Sequence, residues 1–581
     1  MENEYSTDAP RVLLVGDIGQ HTYHVGDEAM TAASAQFLYE GGCSLTLMTR
    51  DTEHSAQYLN APEGGEYSYL PFLLFPWAPA ERELMLTACE RVLRELYPPA
   101  LKPSVGSLAE NIKSVDKPNT SRAALLRTLC ETPEVQALPA FLYPLQETVA
   151  TLIDWAHAVA GMDSVLISGG GNLNSRFGWL LYERAAVAMV AEYADVPLYV
   201  TGQSLGPVLT KQDAWVLERM LRSARSVTVR EHTSLAWCRE RGIEARLCVD
   251  DAVSASPTTP ERTLEYSTEN AKPPADIKSA LPEHFVCVTI NNCTQDQAVQ
   301  LTHLLDNVHR EHGLVPVFLS HYGDPQHSGT LGSRGDVEVH ERIAEHLAPQ
   351  TRREAVILPI LHVDQSLIVH RAAALTITSR YHPAVFSAAA GIPVLALVPD
   401  AFTQMRVGGT LELYGWSEFT LPMGMLVGGV PELMVAAALR CSDADTGERR
   451  EKLMRTLENE RSVILARIQG PAIDSTDSCI SILSGGPALP VIPSPLEDVP
   501  QVPALPEPLA STVRAARELF ASTSLTAGFE WAMSDRAHSW DAEHYARLQG
   551  TRNELLKVRE ELQQLREKRT KRGGFFGLLG R

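Results

Sequence analysis

No run of about 18 apolar residues occurs in the 581-residue chain, so no transmembrane helix is predicted. Paired cysteines are equally absent. The nine cysteines are scattered (Cys43, Cys89, Cys130, Cys238, Cys248, Cys287, Cys293, Cys441 and Cys479), with no Cys-x-x-Cys spacing and no His-x-x-x-His nearby. That excludes a zinc-finger type of site, and the odd count excludes a fully paired disulfide framework. The cysteines read as small packed hydrophobes in a reduced, cytoplasmic compartment. The polar, acidic opening MENEYSTDAPR does not read as a signal peptide. Positive charge is in short supply: the formal net charge is −20. General nucleic-acid binding and adhesion of the whole surface to an anionic membrane are thereby excluded, whereas a local arginine pocket for a small anion is not. No ligand cluster with metal spacing is seen, and neither a metal nor another cofactor is expected.

Hydrophobic content of 44% and charged content of 21% allow a sizeable core, and the length predicts more than one domain. The most informative stretch is Thr376 to Leu395, TITSRYHPAVFSAAAGIPVL. Its β-branched start reads as a buried strand. Pro383 suits the first turn of a helix, where its missing N–H costs nothing. Gly391 and Pro393 end that helix. Ser379, Arg380 and His382 therefore fall where a parallel strand hands over to a helix, the edge at which α/β folds bind ligands, with free N–H groups and a positive dipole end.

Arg11–Val15 reads as a buried strand broken by Gly16-Asp17-Ile18-Gly19, and Gly26-Asp27-Glu28-Ala29 leads into a helix to about Tyr39. The glycine spacing is not G-x-G-x-x-G, so dinucleotide binding is not indicated. Asp27 and Glu28 suit a helix start as well as catalysis. Residues 51–145 read as an insertion with no functional reading. From Met162 the pattern sharpens: a strand through Ser168, a turn at Gly169-Gly170-Gly171-Asn172, a helix from Trp179, and a strand Val196–Val200 ending in Gly202-Gln203-Ser204-Leu205-Gly206-Pro207. Triple glycine after a strand lets backbone N–H groups close on an anion or a sugar, or simply makes a tight turn. Ser226–Arg230 is a strand whose end delivers Arg230 and Glu231 to a helix, and Asp250 follows. Arg230 reads as an anion ligand or as the partner of Glu231 or Asp250. A Pro/Thr/Ser-rich linker (about 253–280) separates this unit from a second α/β series with a strand Val315–Ser320 that ends at His321.

Five motifs occur in this order: the opening Gly…Gly-Asp-Glu-Ala, ISGGGNL, GQSLGP, the Arg-x-x-x-Ser…Asp run at Arg230, and Ser379-Arg380-x-His382 with its trailing Gly-Ile-Pro-Val. Together they resemble the polysaccharide pyruvyl transferase family over roughly residues 11 to 415, the insertion after Asp51 being unmatched. His24 stands near the place of the family's usual loop Asn. The resemblance implies an α/β fold of two Rossmann-like domains in a GT-B-like arrangement, at 1–265 and 281–470. It also implies a phosphoenolpyruvate donor and a sugar diol of a cell-surface glycan or its lipid-linked precursor, giving a pyruvate ketal and phosphate. Arg380 is expected to grip the donor and His382 to supply a proton as an acid titrating near neutrality, its alternative being a packed helix-start residue. Ser379, Arg230, Gly170, Gly171, Asn172, Gln203 and Ser204 are expected to bind donor or acceptor. Asp27, His321 and Asp250 remain open as the base. A nucleotide-sugar glycosyltransferase and a non-catalytic relative are the rival readings.

The last hundred residues read differently. Eight prolines between Gly485 and Pro508 predict an extended spacer, here 485–510. Leu548, Thr551, Leu555, Val558, Leu562 and Leu565 form an a/d seam, so a coiled-coil helix and homodimer are expected at 540–572. A basic cluster (Lys568 to Arg572) and an apolar tail at 573–581 suit peripheral contact with the inner face of an anionic membrane, or a solvated end.

Overall fold

A computed structural model describes residues 9–20, 22–59, 61, 65–76, 78–98, 122–137, 145–255, 264, 276–325, 335–426, 429–441, 443–470, 505–507 and 509–532. The coiled coil, the apolar tail and nearly all of the proline spacer lie outside the described residues.

Two parallel sheets carry the architecture. The first contains β1 (Arg11–Ile18), β3 (Ser44–Thr49), β4 (Ser68–Pro71), β5 (Ser164–Ile167), β6 (Gly170–Leu173), β7 (Leu198–Leu205), β8 (Ser226–Val229) and β9 (Arg246–Leu247). Its order is β4-β3-β1-β5-β7-β8-β9, with β6 beside β7. The second contains β10 (Phe285–Thr289), β11 (Val315–Ser320), β13 (Val356–Ile360), β14 (Leu375–Thr378), β15 (Val394–Val398) and β16 (Thr420–Pro422), in the order β13-β11-β10-β14-β15-β16. These strands are continuous apolar runs because helices cover both faces of each sheet. Val12 to Val15, Val286 to Val288 and Leu395 to Val398 are inaccessible to solvent. The chain thus forms two Rossmann-like domains facing each other in a GT-B-like arrangement.

Each sheet reverses its winding at its centre, between β1 and β5 in the first and between β10 and β14 in the second. Ligands bind beyond the carboxyl ends of strands at such a reversal. Those ends hold Gly16-Asp17 and Ser168–Gly170 in one domain, and Asn291 and Ser379-Arg380 in the other.

Short tertiary contacts stitch the domains together. β2 (Tyr23–His24) pairs antiparallel with β12 (Tyr322–Gly323), Tyr322 opposite His24. The Val25 amide donates to the His321 carbonyl at 3.2 Å. The loop that opens the helix Val25–Glu40 is therefore held by the second domain.

Residues 51–145 are partly built into the first domain: β4 extends its sheet, and the helix Pro79–Leu96 packs on the helix Gly178–Ala194. The glycine segment is extended rather than a turn, since β7 runs on to Leu205 and gives Gly170–Leu173 a partner (Gly170 opposite Gln203). The long helix Asp443–Gln469 returns to the first domain. There Ile464 packs with Val12, Leu14 and Leu166, and Glu460 takes Arg246 in two hydrogen bonds of 2.6 Å.

Candidate active site

From the first domain come Asp17, Asp27, Asn172, Gln203, Arg230 and Asp250. Arg230 is 1% exposed. Its Nε donates to Ser204 Oγ at 2.8 Å, its Nη1 to Asp250, and its Cζ lies 4.1 Å from the Tyr381 ring centroid of the second domain. The pairing of Arg230 with Asp250 therefore holds, and Nη2 at its other end is buried without a hydrogen-bond partner. Asp250 also caps the short 3-10 turn Asp251–Ser254 through the Ala252 amide, which commits it to structure. Ser204 is likewise engaged, accepting from Arg230 and donating to Glu231.

Arg406, on the helix Ala401–Leu413, was not expected from the sequence. A methyl group on Gly171 would meet Arg406 Nη1 at 2.4 Å and Arg230 Nη2 at 3.1 Å. Two guanidinium groups thus converge on one glycine. Among the described residues no carboxylate pairs with Arg406, and its Nε is buried without a partner. Burial, followed by the charge of Arg230, pushes Arg406 down to about 10. Like charges held together away from water are costly unless an anion joins them.

Further open polar atoms lie around the same point. Asn172 Oδ1 and Gln203 Oε1 are both buried and unpartnered, and a methyl group on Gly170 would meet them at 3.0 and 3.3 Å. His382 Nε2 is buried without a partner, and its ring lies flat against Gly26, where an added methyl would come within 1.7 Å of Nδ1. Burial first, then Arg230, Arg406, His24 and Arg380, hold His382 well below the ordinary histidine range.

Arg380 departs from the expected donor grip. Its Nε and Nη2 donate to Asp336 at 2.7 and 2.5 Å, and Asp336 is fully buried. Ser379 is engaged as well, donating to Asn291 Oδ1 at 2.6 Å. His321 is 4% exposed, and its Nε2 lies 2.8 Å from His370 Nε2. Burial and then His370 hold it well below its usual range, so it sits neutral behind the site.

The carboxylates split. Burial would raise Asp17, but the charges of Arg50 and Arg184 and a hydrogen bond from Arg50 hold it below the usual range. Asp27, 3.5 Å from His24, is pushed up to about 7 by burial and then by Asp17. Two neighbouring carboxyls driven apart in this way can serve as a proton carrier and a fixed anion.

The chain matches the family described as polysaccharide pyruvyl transferase over residues 24–400. It belongs to that family. This makes it a polysaccharide-modifying transferase. No curated protein matches the chain. Among solved structures, Arabidopsis thaliana UGT89C1 is 12% identical, covering 80% of this chain and 100% of its own, at a TM-score of 0.41. The UDP-GlcNAc 2-epimerase of Methanocaldococcus jannaschii is 10% identical, covering 77% and 99%, at a TM-score of 0.42. Neither likeness bears on function.

Asp17 and Arg406 were missed in the sequence. Asp17 stood inside the Gly16-Asp17-Ile18-Gly19 stretch read as the break after the strand, whereas β1 runs through it to Ile18. Arg406 had no motif around it.

Proposed function

We propose that this pyruvyl transferase family member moves pyruvate from phosphoenolpyruvate to a sugar diol of a cell-surface glycan or its lipid-linked precursor. The supporting observation is the convergence of Arg230 Nη2 and Arg406 Nη1 on Gly171, between domains, with no protein anion joining them among the described residues. Phosphoenolpyruvate brings a phosphate and a carboxylate, and planar guanidinium groups grip both.

The chemistry needs one proton on the enol carbon and two carbon–oxygen bonds at its neighbour. Asp27, held near neutrality, carries the proton that goes to the methylene carbon. A first acceptor hydroxyl adds to the adjacent carbon, its proton passing to neutral His382. The second hydroxyl then displaces the phosphate, breaking its bond to that carbon and closing the ketal; the hydroxyl proton returns to Asp27, and the phosphate leaves with the proton held on His382. Asp17 stays ionised, held by Arg50, and stabilises positive charge that develops at the ketal carbon. Arg380, fixed by Asp336 at the N-cap of the helix whose second residue is His382, keeps one end of its guanidinium for the donor.

Calorimetry of the full-length protein with phosphoenolpyruvate tests the donor assignment. Binding should be saturable and should weaken by about 1.5–3 kcal/mol in Arg406→Gln, the range for a hydrogen bond to a charged group. Equal affinity in the variant would remove the assignment. Tighter binding of a nucleoside diphosphate than of phosphoenolpyruvate would point to sugar-nucleotide chemistry instead.

A further inference from the structure

An aromatic rim lies at the mouth of the interdomain cleft. Phe177 meets Trp179 at 5.8 Å between centroids and 79° between planes, and meets Phe402 of the other domain at 5.8 Å and 59°. Arg176 Nη1 reaches across to Asp400 Oδ2 at 3.1 Å, the two side chains being 41% and 37% exposed. All three rings are part-exposed.

The rim begins where the arginine pocket ends. Arg406 Cζ stands 3.7 Å from the Phe402 ring centroid, and the same guanidinium points at Gly171. Asn174 fixes the two together. It is 1% exposed, its Nδ2 donates to the Gly171 carbonyl at 3.0 Å, and its Oδ1 accepts from the Phe177 amide at 3.1 Å. One buried side chain thus ties the Gly171 and Phe177 backbones together.

We propose that this rim is the subsite that takes the acceptor sugar ring and selects among acceptors. The proposal rests on the phosphoenolpyruvate reading of the neighbouring pocket, because the acceptor hydroxyl must meet the donor carbon there. A pyranose has an apolar face of C–H groups, which suits the negative face of an aromatic ring. It also has an edge of hydroxyls, which a guanidinium and a carboxylate side by side can read as donors and acceptors. Asp400 also caps the helix Ala401–Leu413 through the Thr403 amide at 2.7 Å, and the Arg176 guanidinium lies over the Phe177 and Phe402 rings at 5.7 and 5.4 Å, so the pair holds the rim in shape while its exposed edges stay open to hydroxyls. Because the rim draws on both domains, it is complete only with the cleft closed.

Saturation-transfer NMR on the full-length protein with phosphoenolpyruvate, using methyl gluco-, galacto- and mannopyranosides, tests the rim. Transfer to ring C–H protons is expected for at least one sugar in the wild type. Phe177→Ala, which touches neither pocket arginine, should weaken that sugar by about tenfold, and Phe177→Tyr should restore it. Arg176→Gln should change the ranking of the three sugars while calorimetric phosphoenolpyruvate affinity stays unchanged. No transfer in the wild type, or equal transfer in wild type and Phe177→Ala, overturns the rim with donor binding intact. Loss of phosphoenolpyruvate binding in the wild type would instead overturn the donor reading on which the rim depends.

Discussion

At Gly26 there is no room for a methyl group, because the His382 ring occupies that place. Gly26→Ala should therefore push His382 out of line and cost about 1–3 kcal/mol of stability, the range for overpacking. Turnover should fall far more than thermal stability, and the companion variant His382→Gln should recover the stability but not the turnover; both are read by thermal unfolding and phosphate release. Asp27 carries part of the pH dependence, with Glu28 beside it. Its folded value of about 7 lies well above that of a solvated aspartate, about 4. The folded protein thus binds the extra proton between about pH 4 and 7, and stability falls as the pH rises through that window. Asp27→Asn should reduce the slope, leaving the share of Glu28, which burial raises to about 8, and should raise stability at pH 8 by a few kcal/mol, since each tenfold change in proton affinity is about 1.4 kcal/mol. Denaturant unfolding at pH 5 and pH 8 checks this. Ser379, Arg380 and His382 were legible because a strand, a helix and a proline leave little freedom in where they fall. What their side chains do was less legible. Arg380 is bound by Asp336 and Ser379 by Asn291, partners distant in the chain. Arg406 was illegible for the same reason, since only the tertiary fold sets it over Phe402 and beside Gly171.

Among elements, strand-turn-helix units read well wherever an apolar run met glycine or proline. The carboxyl-end positions of Gly169–Asn172, Gln203 and Arg230 followed from that pattern. Besides β1, which runs on through Gly16-Asp17 to Ile18, the misread element was the glycine segment. Its extended form depends on β7 running beyond Val200, and no local signal marks a strand lengthened through Thr201, Gly202 and Gln203. The helix Asp443–Gln469 was expected as a long charged element, but its polar sequence does not reveal which sheet it covers. Ile464, 1% exposed, answers that by packing under the first sheet. Ile464→Ala should cost about 2–5 kcal/mol, as deletion of a buried branched side chain does, and should loosen the first domain. Hydrogen exchange should rise at β1 and β3. A rise confined to the second domain would contradict the packing.

For the molecule as a whole, the two winding reversals face one cleft, and the antiparallel pairing of β2 with β12 ties the loop before Asp27 to the opposite domain. The −20 charge and the arginine pocket coexist because the pocket is local. We propose that the heptads beyond Trp540, which lie outside the described residues, serve self-association rather than chemistry. Truncation after Asp535 should leave turnover on a soluble sugar unchanged and lower the mass in solution by light scattering; equal masses for the two proteins would exclude self-association through that segment. Product analysis separates pyruvyl transfer from its rivals. The protein is incubated with phosphoenolpyruvate and a panel of methyl hexopyranosides and lipid-linked glycans, and phosphate and acceptor mass are followed together. Pyruvyl transfer requires phosphate release only with an acceptor, matched mole for mole by an acceptor heavier by pyruvic acid less one water. Phosphate release without that mass gain, or a glycosylated acceptor in its place, would contradict it.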